Sequence, residues 1–474
     1  MDLEKRARRQ SLRVIVSETI MVLSVIAMVA VLALIVSGYW LNSDFEVERQ
    51  GMLQIGSTPT GASVEVDGSA PWYQRTNTSK VLSAGEHKIV LTRDGYDSWA
   101  KTVTIREGLL YRLNYPRLFL TERELETILD VTTATFATVS KDHNTMLLAD
   151  NTTVWRLLRL NENTVSAKTL DIAPFFSSVS IASTASTGLF TGKIINATWS
   201  GDNNHVLIQA TTNDSVEWVL LDIRNPERSI NLSRQFAADF TDMRIFDSSA
   251  STLLTLRNGN LHKIDVASRQ ISAILAEAVL NYNYYDQEII YTTPTSISIL
   301  KNPDSTPIVY RELATEDPIT GETDATTEFT PVAFISRFYD DKYITIVTGD
   351  NITVYNYDDE TEVFNQNIAF IPENIRLGQR GDYLFLNLDT AAATLDMESL
   401  TVKNWALTTS DFGWLDNNML YEVAGGTLSV YDYDGLNYRT LSKNVSAHFP
   451  VVITNNKWMY YFSDGNLVRE IIAK

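Results

Sequence analysis

Residue types that perform acid–base, nucleophilic or metal chemistry occur in this 474-residue sequence, but their spacing completes no recognisable site. Cysteine is absent, which excludes thiol nucleophiles, disulfides and cysteine-bound metals. No Gly-x-Ser-x-Gly elbow or phosphate-binding glycine loop is present. Two of the many carboxylates could converge as in a glycosidase, yet no pair is singled out. We therefore assign no catalytic residue and no cofactor. The histidines are scattered without metal-ligand spacing: His87, His143, His205, His262 and His448.

Two acidic segments hold the oxygen ligands that calcium prefers. Arg311–Pro331 carries six carboxylates against one arginine. Asp432 and Asp434 belong to an Asp-Tyr-Asp-Gly fragment of a calcium loop that lacks the closing glutamate. Both are candidate calcium ligands, but we expect solvated loops and assign no metal.

Aromatic residues suggest a contact surface. The tract Tyr282–Tyr285 reads YNYY, and we expect it to face solvent, with Tyr282, Tyr284 and Tyr285 as candidate ligand contacts. Six tryptophans allow two interpretations, packing between repeats or a platform for sugar rings. Their regular recurrence favours packing. They are Trp155, Trp199, Trp218, Trp405, Trp414 and Trp458.

These residues follow a segment that predicts their cellular location. Thr19–Leu41 is 23 residues without a charge, and 11 of its first 18 are Leu, Ile or Val. A helix of that length is roughly 34 Å long and can cross a ~30 Å hydrocarbon core. Residues 1–18 form a basic tail, which predicts a cytoplasmic N-terminus, with the bulk of the chain outside the membrane. The apolar run is too long for a typical cleaved signal peptide, so we expect an uncleaved single-pass anchor in the lipid bilayer.

Charge limits the partners. The net charge is −19; residues 1–13 carry +3 and Glu18 carries −1, so the remainder carries about −21. A body this acidic repels nucleic acid, and we expect no nucleic-acid partner.

Residues 51–117 read as a small β domain. Short alternating apolar stretches, such as Val64–Val66 and Ile89–Leu91, are separated by Pro- and Gly-containing turns. The run Ser57–Gly68 reads STPTGASVEVDG, and Gly85–Leu91 reads GEHKIVL before Gly95-Tyr96. These motifs and their spacing resemble the PEGA domain, although Ala70–Tyr73 replaces the family's usual Gly-x-Thr-Pro turn. The resemblance implies a small β-sandwich of bacterial envelope proteins with no known catalytic residue, in which His87 is a structural strand residue.

Residues 119–474 contain a weak repeat. Each unit has a polar turn, an apolar strand, a second turn and a strand with aromatics, as in Lys141–Leu148 and Ser200–Ile208. Eight units of about 44 residues fit this segment, the length of a four-stranded propeller blade. We predict an all-β chain with a propeller of eight blades, or alternatively seven.

The sequence therefore indicates a bacterial cell-envelope protein with an N-terminal anchor, a PEGA-like module and a propeller head. The leading interpretation is non-catalytic: the propeller binds a protein or glycan partner through one face. Two alternatives stay open, a hydrolase or lyase that acts on envelope polysaccharide through paired carboxylates, and a structural component resembling a surface layer. Fold alone does not decide among them.

Overall fold

The computed structural model describes most of the chain in two compact units. The units are Met1–Arg123 with Ile472–Lys474, and Glu124–Ile471. The described residues are 18–33, 39–41, 47–71, 73–160, 164–177, 179–180, 188–212, 215–313, 329–338, 340–378 and 381–474. Most of the basic tail and the middle of the acidic segment, residues 314–328, lie outside these ranges.

The N-terminal segment is helical only in part. Residues 18–33 form helix α1, whereas Tyr39–Leu41 (β1) pairs antiparallel with Val47–Arg49 (β2). The expectation of one helix over Thr19–Leu41 is therefore wrong at its C-terminal end, because those backbone groups join a ladder. In the described ranges, no helix is both long and apolar enough to span a membrane. Ten large apolar side chains of α1 are 53–67% exposed: Ile20, Met21, Val22, Leu23, Val25, Ile26, Met28, Val29, Val31 and Leu32.

The small unit contains a sandwich of two three-stranded sheets. One sheet has the order β5-β3-β8, with β3 (Gly51–Ile55), β5 (Thr78–Leu82) and β8 (Leu110–Leu113). The other has the order β4-β6-β7, with β4 (Ser63–Val66), β6 (Gly85–Thr92) and β7 (Trp99–Ile105). Alternate residues of both sheets meet in one apolar core, as the period of two predicts. The core includes Leu53, Ile55, Val64, Ile89, Leu91 and Trp99.

The described part of the large unit contains eight four-stranded antiparallel sheets, numbered here in chain order. Sheet 1 contains β10 (Ala134–Val139), β11 (Thr145–Asp150), β12 (Val154–Leu160) and β13 (Val165–Asp171), and sheet 2 contains β16 (Lys193–Trp199), β17 (His205–Thr212), β18 (Ser215–Asp222) and β19 (Ile230–Asn231). Sheet 3 contains β20 (Asp242–Ile245), β21 (Thr252–Arg257), β22 (Asn260–Asp265) and β23 (Gln270–Ile271), and sheet 4 contains β24 (Asn281–Tyr285), β25 (Glu288–Thr292), β26 (Ser296–Leu300) and β27 (Ile308–Glu312).

Sheets 5 to 8 repeat the same meander. Sheet 5 contains β28 (Val332–Phe338), β29 (Asp341–Thr348), β30 (Asn351–Asn356) and β31 (Glu362–Asn367), and sheet 6 contains β32 (Asn374–Leu377), β33 (Tyr383–Leu388), β34 (Ala391–Asp396) and β35 (Thr401–Ala406). Sheet 7 contains β36 (Phe412–Trp414), β37 (Met419–Ala424), β38 (Thr427–Asp432) and β39 (Arg439–Lys443), and sheet 8 contains β40 (Val452–Thr454), β41 (Trp458–Ser463), β42 (Asn466–Ile471) and β9 (Leu125–Asp130). A two-stranded sheet, β14 (Val179–Ser180) with β15 (Leu189–Phe190), and helix α2 (Leu232–Phe236) lie in connections.

Neighbouring sheets are joined face to face through shared apolar cores. Trp155 and Leu157 of sheet 1 pack with Val206 and Ile208 of sheet 2, and comparable clusters join the sheets in succession up to sheet 6. Sheet 8 shares a further cluster with sheet 1. Strand β9, the first of the unit, completes sheet 8 beside β42, the last. Consecutive four-stranded meanders closed by a strand from the other terminus are the arrangement of a β-propeller, which confirms the expected propeller-like region.

This topology gives the large unit two faces. In sheets 1 to 7 the turn between strands one and two, and that between strands three and four, emerge at one end, which we call the turn face. In sheet 8 only the turn between β40 and β41 lies there, because β9 joins that sheet from the start of the unit. The turns between strands two and three, and the connections from one sheet to the next, emerge at the opposite end, the connection face. The two sequence insertions, Ala173–Asn196 and Arg311–Pro331, both join one sheet to the next, so both belong to the connection face.

The turn face carries the repeated polar turns. In the first, Asp142 accepts hydrogen bonds from Ser140 Oγ (2.6 Å) and from the backbone N–H of Asn144 (3.1 Å). Asp202 accepts the same bonds from Ser200 Oγ (2.6 Å) and Asn204 N–H (3.0 Å). The aligned sequences Ser-x-Asp-x-Asn thus fold into the same turn, because a short carboxylate can satisfy nearby backbone donors.

These turns also link successive sheets. The backbone N–H of Lys141 donates to Asn203 Oδ1 at 2.9 Å, and that of Asp202 donates to the Ser248 carbonyl at 2.8 Å. His143 Nδ1 lies 3.1 Å from the Ile453 carbonyl of sheet 8. The polar turns therefore stabilise the ring, and two of the scattered histidines, His143 and His205, belong to them.

Candidate functional site

The tyrosine tract does not form the exposed surface expected from its sequence. Tyr282–Tyr285 belongs to β24, the first strand of sheet 4. Tyr282 is 0% exposed, and its hydroxyl donates to the Leu254 carbonyl at 3.3 Å. Tyr284 is half-buried against Phe246, and Tyr285 packs at the core between sheets 4 and 5. The expectation that Tyr282 faces solvent is wrong, because β24 packs against both neighbouring sheets: Tyr282 belongs to the apolar core with sheet 3, and Tyr285 packs against the core with sheet 5.

The environment of Tyr282 is that of a structural residue. The Arg244 guanidinium lies 4.5 Å from its ring centre, and burial raises the pKa of its hydroxyl well above the usual value. A buried neutral phenol beneath a guanidinium stabilises packing and presents no surface to a partner.

Asp432 is the last residue of β38, and Asp434 lies in the turn that follows. Both are buried; Asp432 accepts a hydrogen bond from Asn437 Nδ2 (2.8 Å), and Asp434 from the backbone N–H of Leu436 (3.3 Å). Among the described residues, no group of three or more His, Asp or Glu side chains is arranged to hold a metal ion. The two carboxylates organise their own turn, and the calcium hypothesis gains no support there.

His87 lies in strand β6, as the resemblance implies. Its Nδ1 is 2.6 Å from Asp67 Oδ2, and its Nε2 is 2.9 Å from the Ser83 carbonyl. The hydrogen bond from His87, together with that from the Lys88 backbone, lowers the pKa of Asp67. This histidine joins a turn to a strand within the sandwich.

A cleft on the connection face, between sheets 4 and 5, is the strongest candidate site in the described structure. Its volume is about 740 Å³. It lies at the connection-face end of the apolar core that Ile297 and Ile346 form between these sheets. Its walls come from Leu280, from the turns that begin at Thr293 and Thr348, and from Phe329–Pro331. Clefts of this size with apolar walls and a few polar groups are typical binding sites.

The lining combines apolar surface with fixed hydrogen-bonding groups. Asn351 Nδ2 donates to Asn365 Oδ1 (2.9 Å) and Asn367 Oδ1 (2.7 Å), and its own oxygen accepts from Thr353 Oγ1 (2.8 Å). That amide is therefore held in one orientation. The apolar and polar lining residues include Leu280, Pro294, Phe329, Pro331, Thr293, Thr330 and Thr348.

Charge in the cleft is mixed. Glu312 and Asp350 line it together with Arg311. Arg311 Nη1 donates to Tyr355 Oη at 2.6 Å, so the guanidinium is fixed against that ring. Burial raises the pKa of the neighbouring Tyr310 to about 12, so this phenol stays neutral at physiological pH.

Glycine at position 349 allows one wall of the cleft to close. Gly349 has φ +58°, and a Cβ built there would lie 2.9 Å from Phe329 Cδ2. Phe329 can therefore lie directly on the turn between β29 and β30. Any side chain at this position would strain the backbone and displace the phenyl ring.

Sequence reasoning missed this cleft because its walls come from separate segments of two neighbouring sheets. Only the length of the insertion after β27 indicated a functional loop. No motif links Leu280 to Gly349, since their proximity depends on how two sheets pack.

The sandwich of the small unit can be compared with known domain families. Its Pro-Thr-Gly-Ala turn precedes strand β4, and Asp67-Gly68 follows that strand. Residues 50–117 match the model of the PEGA domain. This confirms the resemblance for that segment, and the PEGA domain thus precedes the large unit in the chain. No curated protein matches the sequence.

Solved structures provide likenesses for most of the chain. The Cps50 (Swd1) β-propeller domain of Myceliophteria thermophila is 10% identical, with a TM-score of 0.42, over 74% of this chain and 100% of that one. Kluyveromyces lactis Hsv2 is 13% identical, with a TM-score of 0.37, over 60% and 98%. NirN, a dihydro-heme d1 dehydrogenase in complex with DHE, is 10% identical, with a TM-score of 0.41, over 76% and 71%. The propeller assignment rests on the sheet topology described above.

Proposed function

We propose that this protein is a membrane-anchored binding protein whose eight-bladed propeller holds an extended segment of a protein partner in the cleft between sheets 4 and 5. The proposal rests on the cleft, which combines exposed apolar walls with the fixed amide of Asn351. It lies on the connection face, which also bears both long connections. An extended peptide suits such a groove because its side chains can enter apolar pockets while its backbone bonds to amides and hydroxyls.

The lining favours a peptide over a glycan. Sugar rings bind best on flat, exposed aromatic faces, and Tyr355, the tyrosine of the cleft, is 7% exposed. Phe329 is 39% exposed, and the other apolar lining residues are aliphatic or proline. A polysaccharide hydrolase with paired carboxylates would need one carboxyl group held protonated, whereas the pKa values of Asp142, Asp202, Asp247 and Glu288 are lowered.

Helix α1 supports the anchoring part of the proposal. Its apolar side chains are exposed on all sides, and hydrophobic surface of this kind is stable when lipid or a partner covers it. The 16 described residues correspond to about 24 Å of helix, and residues 34–36 continue the apolar sequence (Leu-Ile-Val). The basic residues before the helix favour a cytoplasmic N-terminus, which would place the PEGA domain and propeller on the other side, in the cell envelope.

A display experiment tests the proposed binding. The full-length chain in lipid nanodiscs would be screened against a random peptide display library and, in parallel, a glycan microarray. We expect selected peptides to lose at least about tenfold in affinity with Leu280→Ser or Phe329→Ser, since each removes roughly 1.5–3 kcal/mol of apolar contact.

The matched control is Leu436→Ser on the turn face, because Leu436 and Leu280 are similarly exposed, at 46% and 50%. This variant should bind the selected peptides as wild type does. Failure to select any peptide, or equal losses in control and cleft variants, would refute the proposed peptide groove. Glycan binding that the cleft variants abolish would replace the peptide with a sugar.

A further inference from the structure

A second cavity, of about 270 Å³, lies between sheets 1 and 2 and contains three cationic side chains. Arg159, Lys168 and Arg224 line it together with Ser166. All four residues are exposed. The cavity differs from the cleft in position, because its lining residues come from the ends of β12 and β18 and the start of β13, at the turn face.

The strand register explains why these cations converge. Arg159 on β12 is directly opposite Ser166 on β13, and Leu157 is opposite Lys168. Leu157 packs in the apolar core between sheets 1 and 2, so Arg159, Ser166 and Lys168 belong to the same side of sheet 1. On sheet 2, Arg224 follows Ile223, which is buried in that core.

The chain has 58 acidic and 39 basic residues, yet within the described ranges no ion pair engages Arg159, Lys168 or Arg224. Asp222, close in sequence to Arg224, accepts hydrogen bonds from the backbone N–H groups of Arg224 (2.9 Å) and Asn225 (2.8 Å). Three like charges around one small cavity favour an anion among them, although solvent reduces their mutual repulsion because all three side chains are exposed.

We propose that this cavity binds a phosphate group. Two guanidinium groups, one ammonium group and one hydroxyl in the lining supply several hydrogen-bond donors to a single anion. A tetrahedral dianion has oxygens in all these directions, whereas a single carboxylate has two oxygens in one plane. The proposal covers both inorganic phosphate and a phosphate ester, since both present phosphate oxygens to these side chains.

Thermal unfolding of the full-length chain in detergent tests the site. Inorganic phosphate, glycerol phosphate and malonate would be titrated at pH 8 with sodium chloride added to hold the ionic strength constant. We expect both phosphates to raise the melting temperature saturably, since a ligand that binds only the folded state stabilises it. Removal of both charges in R159Q/K168Q should weaken binding at least about tenfold. Lys403→Gln, which removes an exposed lysine from the outer strand of sheet 6, should bind as wild type does.

Each outcome decides the proposal. Saturable stabilisation of wild type and Lys403→Gln by phosphate, lost in R159Q/K168Q, supports it. The proposal is overturned if phosphate raises the wild-type melting temperature no more than chloride does. It is also overturned if phosphate stabilises R159Q/K168Q as much as wild type, or if malonate stabilises wild type as much as phosphate does. Glycerol phosphate that stabilises more than inorganic phosphate identifies an ester as the preferred source, and the reverse identifies the free ion.

Discussion

Asp202 shows how one carboxylate can fix both a turn and the contact between two sheets. It binds Ser200 Oγ and Asn204 within its own turn, while its backbone N–H donates to the Ser248 carbonyl of sheet 3. Burial alone would raise the pKa of Asp202, but the hydrogen bonds from Ser200 and Asn204 outweigh it and lower that pKa below the usual value. Folding is therefore linked to ionisation of this side chain.

The substitution Asp202→Asn should destabilise the large unit by about 1 kcal/mol at pH 7. The contribution of a lowered carboxyl pKa is fully present above the unfolded value of about 3.9 and is lost as pH falls through the folded value. Urea unfolding from pH 7 to pH 3 should therefore show the gap between wild type and variant closing below about pH 4. Asp340→Asn, at a fully exposed position, should show no comparable gap. A gap for Asp202→Asn that is constant with pH would contradict this account.

Gly349→Ala should damage the cleft more than it damages the fold. The new Cβ would meet Phe329 and would occupy a positive-φ position, at a cost of about 1 kcal/mol or more. Peptides selected on wild type should bind this variant more weakly, while its urea midpoint changes modestly. Gly259→Ala, where φ is +74° and a Cβ meets nothing within 4 Å, is the matched control for backbone strain. Equal peptide affinity in both variants would show that Phe329 does not depend on this glycine.

At the scale of elements, a buried glutamate fixes the connection between sheets 1 and 2. Glu217 of β18 accepts hydrogen bonds from Ser177 N–H (3.0 Å) and Ser177 Oγ (2.7 Å), and from the Asn231 amide. Arg234 of α2 also donates to Ser177 Oγ, at 3.1 Å. The residues around Ser177 are thereby attached to sheet 2.

Glu217→Ala should cost about 2–4 kcal/mol, because it leaves several buried donors without an acceptor. Hydrogen exchange should become faster at 172–177 and in α2 than in the more distant sheet 5. Glu362→Ala, at an exposed position of β31, is the control and should change neither quantity. Unchanged exchange at 172–177 in Glu217→Ala would show that other contacts hold this connection.

The sequence predicted the elements where local rules dominate. Alternation and Pro/Gly turns identified the strands around Val64 and Ile89, and the polar turns that begin the units at Lys141 and Ser200 marked successive sheets. It failed at Tyr282, since the polar neighbours of this tract suggested exposure while packing between sheets buried it. It also failed at Tyr39–Leu41, because strand pairing with Val47–Arg49 replaced the apolar helix. The cleft was not predictable, since its walls come from separate segments brought together by sheet packing.

At the scale of the whole molecule, the large unit depends on closure between its first and last strands. β9 is the outer strand of sheet 8, and sheet 8 shares an apolar core with sheet 1 through Leu148, Tyr460 and Leu467. A chain truncated after residue 465 would lose β42, so β9 would lose its ladder partner and this core would lose Leu467.

Such a truncation should abolish the cooperative thermal transition of the large unit. If the eight sheets unfolded independently, it would instead remove only about one eighth of the unfolding enthalpy. Calorimetry of the full-length and truncated chains measures this directly. A transition within a few degrees of wild type would show that the ring does not depend on this closure. Truncation after residue 471, which keeps β42, separates this effect from loss of the contacts that Ile472–Lys474 make in the small unit.

The central claim is that the cleft between sheets 4 and 5 holds a protein partner in the cell. Site-specific photocrosslinking in intact membranes tests it, with a photoreactive amino acid at Thr330 in the cleft or at Thr306, an exposed threonine beside the same sheets on the turn face. We predict a discrete protein adduct from position 330 that is absent at position 306 and is lost when Leu280→Ser is added. The same adducts from both positions, or no protein adduct at position 330, would contradict the account.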